Sequence, residues 1–145
     1  MTNPTTSNTE AANRTPTLRV VTMPRDTNPY GTIFGGVVLS YIDQAAFVEA
    51  RRHGRHRWVT AAIERVDFLA PIHLGDIVNL YAKTTRTGSK SATVSVDVEA
   101  ERLLTGQCVA VTSATLVMVA VNETGKPIPF TSEPTIHLPA SHGPD

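Results

Sequence analysis

The chain of 145 residues holds a single cysteine, Cys108. No internal disulfide can form, and no closely spaced Cys/His set offers four metal ligands. The reading is a reduced, intracellular chain without a structural zinc. A surplus of charge of one sign is lacking too: 13 basic and 13 acidic side chains give zero net charge with His neutral. Lys and Arg are scattered, so the electropositive footprint of a duplex-binding protein is missing. Residues 1–15 contain no apolar stretch that could serve as a signal peptide's core, and the longest apolar run near the other end, 114–121, is far too short to span a bilayer. A cytoplasmic protein that binds neither nucleic acid nor membrane is expected.

What is present is enough apolar side chain, 41% of the residues, for one domain with one core. Residues 1–15 (MTNPTTSNTEAANRT) read as a disordered leader. Pro127, Pro129, Pro134, Pro139 and Pro144 exclude regular helix or central strand near the other end and point to an extended tail over 131–145. The folded unit is therefore 16–130. Within it, residues 17–23 read as a strand and 25–31 (RDTNPYG) as turns. Residues 36–52 read as one long helix, closed by Arg51, Arg52 and His53 before Gly54.

Strands follow over 58–69, 77–85, 91–102 and 108–121. The third of these alternates, with Ala92, Val94, Val96 and Val98 on one face and Ser91, Thr93, Ser95 and Asp97 on the other. Short connections make the four strands antiparallel neighbours, and only one helix exists to cover their apolar face. That helix is apolar around most of its circumference, as a buried helix is. The expected class is α+β, a long central helix wrapped by a curled antiparallel sheet of about five strands.

Asp43 lies mid-helix, and its stripe of Gly36, Leu39, Ser40, Ala46, Phe47 and Ala50 carries no other charge. An unpaired carboxylate on an apolar stripe is costly to bury, and its functional reading is a general base or nucleophile. Alternatively it points outward with Gln44 and Glu49 on the helix's polar edge, and periodicity leaves both readings open. Gly35 and Gly36 precede the helix, where free N–H groups could hold a developing oxyanion; a tight turn is the plainer alternative. Asn28 could orient a water or a carbonyl, or be only a turn residue.

Between two strands, Arg86, Thr87, Gly88, Ser89, Lys90 and Ser91 combine hydroxyls, a flexible backbone and basic ends, which suits phosphate binding or a solvated hairpin. Arg51, Arg52, His53, Arg55, His56 and Arg57 read as a solvated helix end or a nucleotide-phosphate contact. Cys108 reads as an inert buried thiol, Ser40 lacks a nucleophile elbow, and His73 reads as surface.

The run MPRDTNPYGTIFGGVVLSYID (23–43) resembles the opening signature of hotdog-fold acyl-CoA thioesterases of the YciA and brain acyl-CoA hydrolase type, D-x-N-x-x-G-x-x-x-G-G followed by a helical acid. The likeness continues through VDFLAPIHLGD (66–76), TGSKSATVSVDVEAE (87–101) and GKPIP (125–129). The resemblance implies a hotdog fold and hydrolysis of acyl-CoA to a carboxylic acid and CoA, without a cofactor or metal. It implies that Asp43 is the catalytic acid, Asn28 the second catalytic position contributed from the opposite subunit, and Gly36 the backbone donor to the thioester oxygen, with Gly35 beside it. It assigns CoA contact to the segment from Arg86 to Ser91, with Lys90 as charge partner. The expected assembly is a homodimer with shared sites, built into a trimer of dimers. Phe34 stands where many relatives carry His. A non-catalytic acyl-CoA-binding module is the alternative from another class. A hotdog dehydratase would show a His before the helix, and none occurs before His53.

Overall fold

Alternation of Ala and Val with hydroxyl and acidic side chains gives residues 91–101 one dry face, and that face sets where everything else packs. The structure, a computed structural model, describes residues 14–136; the remainder of the expected leader and tail lies outside the described residues. In chain order the elements are β1 (Leu18–Val21), a 3₁₀ turn (Pro24–Asp26), α1 (Gly35–Ala50) with a second 3₁₀ turn (Arg51–His53), β2 (Arg57–Ile63), β3 (Ile77–Thr87), β4 (Ser91–Glu101) and β5 (Cys108–Val121). The strands form one antiparallel sheet in the order β1-β3-β4-β5-β2.

On the sheet's inner face Val78, Leu80, Val94, Val96, Leu116 and Met118 are buried, and α1 lies against them through Val38, Ile42, Ala45, Ala46 and Ala50. Alanines bring the helix axis close to the strands, and Ile42 fills the centre. Three register shifts bend the sheet around the helix, at Thr85 in β3, Val111 in β5 and Ala61 in β2. Each leaves one residue out of the ladder and adds local twist, which lets five strands curl around a single cylinder.

Two expectations about the strands are corrected. β2 does not neighbour β3; it pairs with β5 at the opposite margin, while β1 takes the free side of β3. The thirteen residues between Ile63 and Ile77 are too many for a hairpin and include Pro71, so the chain crosses over instead. The strand expected over 58–69 ends at Ile63, after which the Glu64 and Leu69 amides still donate to the carbonyls of Thr115 (2.8 Å) and Val111 (2.7 Å).

Three side-chain placements also differ from expectation. Glu49 is 7% exposed and not on an outward edge, because β3 passes beneath the end of α1 and offers it the Thr84 amide (3.3 Å) and hydroxyl (3.1 Å). Arg52 reaches its other oxygen at 3.4 Å. His56 is buried, its ring bonded to the Phe130 carbonyl at 2.8 Å and the Thr135 hydroxyl at 3.0 Å. Cys108 is exposed, since it opens β5 opposite Glu101 at the far end of β4. Its thiol is nonetheless held above its ordinary pKa by partial desolvation and by the Glu99 and Glu101 carboxylates, which disfavours the thiolate.

Both ends of the described chain are tied down. Arg14 pairs with Asp97 at 3.0 Å and lies 4.2 Å from the centroid of the Tyr81 ring. After β5, Asn122 caps a turn by accepting the Thr124 and Lys126 amides, each at 3.0 Å. The segment with Pro127 and Pro129 then runs back along Val121, and Ile128 donates to the Ala120 carbonyl at 2.9 Å.

At the crossover into β3, buried Asp76 accepts from Arg102 at 2.5 Å and from the His73 amide at 2.8 Å. Its carbonyl takes the Thr22 amide and hydroxyl at 3.2 and 2.9 Å. Asp76→Ala strands the Arg102 guanidinium, and a loss of about 3–5 kcal/mol is expected, measured by urea unfolding. Asp76→Leu combined with Arg102→Leu is expected to lose less than Asp76→Ala alone.

Candidate active site

Asp43 projects from the middle of α1 toward β2, where it is half-buried. The Thr60 hydroxyl donates to Asp43 Oδ1 and lies 3.5 Å from the Met118 sulfur. Trp58 and Thr60 share the inner side of β2, opposite Ala120 and Met118 of β5, and the shift at Ala61 follows directly. A bulge beside a site re-aims side chains, and here it ends the run that carries Thr60 beneath the helix. Sequence reasoning missed Thr60, although the alternation of RWVTAAI, with Trp58 and Thr60 two apart, was the available signal.

The carboxylate opens into a cleft of about 520 Å³ walled by Phe47, Val48, Trp58, Val59 and Met118. Asp43 is the only charged residue of that lining, and among the described residues no cation pairs with it. The outward reading is therefore displaced. Gln44, exposed and bonded to Ser40 at 3.1 Å, borders the same cleft, while Asp43 reaches into it toward Thr60 at the margin of the sheet. A carboxylate with one hydroxyl donor and free lone pairs can accept a proton from water or attack an electrophilic carbon.

The loop before the helix is rigid by its own bonds. Asn28 Oδ1 accepts the Tyr30 and Thr32 amides at 2.9 and 3.2 Å, and Nδ2 donates to the Thr32 hydroxyl at 2.7 Å. Gly31, at φ 84°, completes the turn in a conformation that other residues rarely adopt. Tyr41 of α1 reaches Asp26 at 3.4 Å, and burial followed by that carboxylate raises its phenol pKa. These contacts present Gly35 and Gly36 at the exposed start of α1, and Phe34 supplies no side-chain cap to their N–H groups.

Within one protomer these predicted residues do not meet. Asp43 lies two helical turns beyond Gly36, a rise of roughly 10 Å. Gly35 opens on a different cavity from the one that holds Asp43, and Asn28 lines neither.

The expected CoA segment is the hairpin between β3 and β4, with Arg86, Thr87, Gly88, Ser89 and Lys90 exposed and Ser91 half-buried. Gly88 donates to the Ser91 carbonyl at 2.9 Å, and the Ser89 and Lys90 carbonyls receive the Phe130 and Ala120 amides at 3.2 and 3.0 Å. Phe130 stacks 5.9 Å from Trp58, which walls the Asp43 cleft, so hairpin and cleft share one aromatic support. His53 packs on Phe130 and bonds Thr84 at 2.7 Å, leaving Arg51, Arg52, Arg55 and Arg57 as the exposed part of the basic cluster. Among the described residues no group of three or more His, Cys, Asp or Glu could hold a metal, and no helix is long and apolar enough to cross a membrane.

A family model described as the thioesterase superfamily matches residues 30–107, a span that takes in Gly36, Asp43, Thr60 and the hairpin. The chain belongs to the thioesterase superfamily. This thioesterase is 43% identical over 106 residues to a Bacillus subtilis protein named uncharacterized acyl-CoA thioester hydrolase YkhA, a match that covers 73% of this chain and 62% of that one. It is 36% identical over 116 residues to acyl-CoA thioester hydrolase YciA of Salmonella typhimurium, across 78% of this chain and 87% of that one. A hexameric hotdog fold thioesterase of Campylobacter jejuni matches its structure with TM-score 0.75 at 42% identity, over 79% and 89% of the two chains. The hotdog architecture expected from sequence is thus the observed one.

Steric need does not explain glycine at position 36. A Cβ there meets nothing within 4 Å, while one at Gly35 touches the Phe68 ring at 3.5 Å. Gly36→Ala in this thioesterase is therefore expected to fold and to gain up to about 1 kcal/mol in stability, measured by thermal melting.

Proposed function

We propose that the protein hydrolyses acyl-CoA thioesters to the free carboxylic acid and CoA, and the observation that carries this reading is the Asp43 carboxylate, held by Thr60 at the mouth of an apolar cleft. Names of the relatives support acyl-CoA as the substrate class. Asp43 takes a proton from water as the water oxygen bonds to the carbonyl carbon. The carbonyl electron pair moves to an oxygen facing the Gly36 N–H, a donor worth about 3–4 kcal/mol in comparable sites. Collapse re-forms the carbonyl, breaks the carbon–sulfur bond and returns the proton from Asp43 to the leaving CoA sulfur.

The helical rise between Gly36 and Asp43 makes one protomer insufficient, because a single carbonyl cannot touch both. β2 is an edge strand carrying exposed Val59 and Ile63, and an unpaired apolar edge invites a second copy. In the proposed homodimer the two β2 edges meet, so each Asp43 works against the loop and helix start of the opposite protomer. Asn28, already held by its own turn, orients the water or the carbonyl with its remaining N–H. The hexameric Campylobacter thioesterase supports a further trimer of such dimers. The Arg86 to Ser91 hairpin, with Lys90, contacts the CoA phosphates. No cofactor or metal is needed, and the predicted location is the cytoplasm, where acyl-CoA is found.

Asp43→Asn is expected to lower turnover at least 10²-fold while CoA still binds, followed by free-thiol release and by calorimetry. Thr60→Val, which keeps the shape and deletes the donor, is expected to lower turnover less, by about tenfold. Full activity in the Asp43 variant would end the assignment.

A further inference from the structure

Beyond β5, residues 126–136 form a strap that doubles back along the strand and reaches the turn after α1. His56, 1% exposed, fastens it there. A carbonyl only accepts, so the 2.8 Å contact with Phe130 places a hydrogen on His56 Nε2, and Nδ1 meets the Thr135 hydroxyl at 3.0 Å. The Thr135 amide adds a bond to the Arg55 carbonyl at 3.1 Å. The seat is close-fitting: a Cβ at Gly54 would stand 2.8 Å from both the His56 ring and the Phe130 carbonyl oxygen.

Phe130, which receives His56 through its carbonyl, gives its amide to the Ser89 carbonyl at 3.2 Å. Two residues earlier the Ile128 amide bonds Ala120, whose own amide holds the Lys90 carbonyl at 3.0 Å. Ser89 and Lys90 lie outside the strands, so these two bonds tie the hairpin tip to the body of the protein. A lysine on a free turn must be ordered before it can grip a phosphate, and that ordering subtracts from affinity. We propose that His56 is a positioning residue for CoA recognition, acting through Phe130 to hold the Ser89–Lys90 turn where it meets the phosphates. Trp58 does not depend on the strap, because it is buried in β2 and gives its indole N–H to the Gly54 carbonyl at 2.9 Å. Loss of the His56 bond therefore reaches the hairpin and leaves the Asp43 cleft standing. The proposal rests on the assignment of the hairpin to CoA in the hydrolase reading, and the test separates the two.

His56→Leu deletes the donor and keeps the bulk, whereas His56→Gln restores an N–H toward the Phe130 carbonyl. In the Leu variant, KM for a straight-chain acyl-CoA and the calorimetric Kd of CoA are expected to rise about tenfold, the size of one lost buried hydrogen bond. Turnover is expected to stay within about twofold, and the Gln variant to recover most of the rise. The same acyl group on N-acetylcysteamine, a thioester without phosphate, is expected to keep its kcat/KM. Thr135→Val, at the half-buried end of the strap, leaves the core intact and is expected to raise KM about threefold; it carries the test if His56→Leu fails to fold. An unmoved KM in both variants, or an equal loss on the phosphate-free thioester, would overturn the positioning role and leave the hydrolase standing. Weakened CoA binding in His56→Leu, rescued in His56→Gln, with no hydrolysis by the unaltered protein, would keep the role and overturn the hydrolase.

Discussion

A single helix must be enclosed by a single sheet, and the way the sheet bends to do this governs the rest of the molecule. The strands can cover α1 only by curling, and the three register shifts supply the bend where a flat ladder would leave the helix half in water. Curling brings the two sheet margins round toward the helix flanks. At the β2 margin there is no further strand, so the polar group that α1 turns that way meets a hydroxyl and an open cleft.

Two acids on the same helix show how much that position matters. Glu49 sits over β3, inside the curl, and the Thr84 amide and hydroxyl with Arg52 meet its oxygens. Its charge is answered within the protomer, as burial requires. Asp43 has one donor, Thr60, and a cleft wall whose other residues are apolar except Gln44. The difference between the acid answered within the protomer and the one proposed for catalysis lies in the strand each faces, since both are carboxylates on apolar stretches of one element.

Separation along the helix adds the second constraint. The free N–H groups are at its start and the carboxylate is in its middle, with a different cavity beside each. In the proposed homodimer each protomer thus supplies two half-sites, and joining the β2 edges sets the Asp43 of each against the helix start of the other. Phe68 and Leu69 reach the helix start only because the chain crosses over after β2 instead of turning back beside it, so the topology that defeats the simplest strand order also shapes the cavity beside that helix start.

Residues 91–101 could be assigned to a strand, and 36–52 to a buried helix, because local periodicity reports one side of an element against the other, and burial obeys it. The thioesterase signature at Asn28, Gly35, Gly36 and Asp43 was likewise legible, being contiguous in the chain. Thr60 beneath Asp43, the burial of Glu49 and His56, the exposure of Cys108 and the β2–β5 pairing were decided by the tertiary structure alone. Each depends on which strand lies next to which, and that order follows from how a crossover and three bulges close a sheet around a helix, a property of the whole chain that no local pattern records.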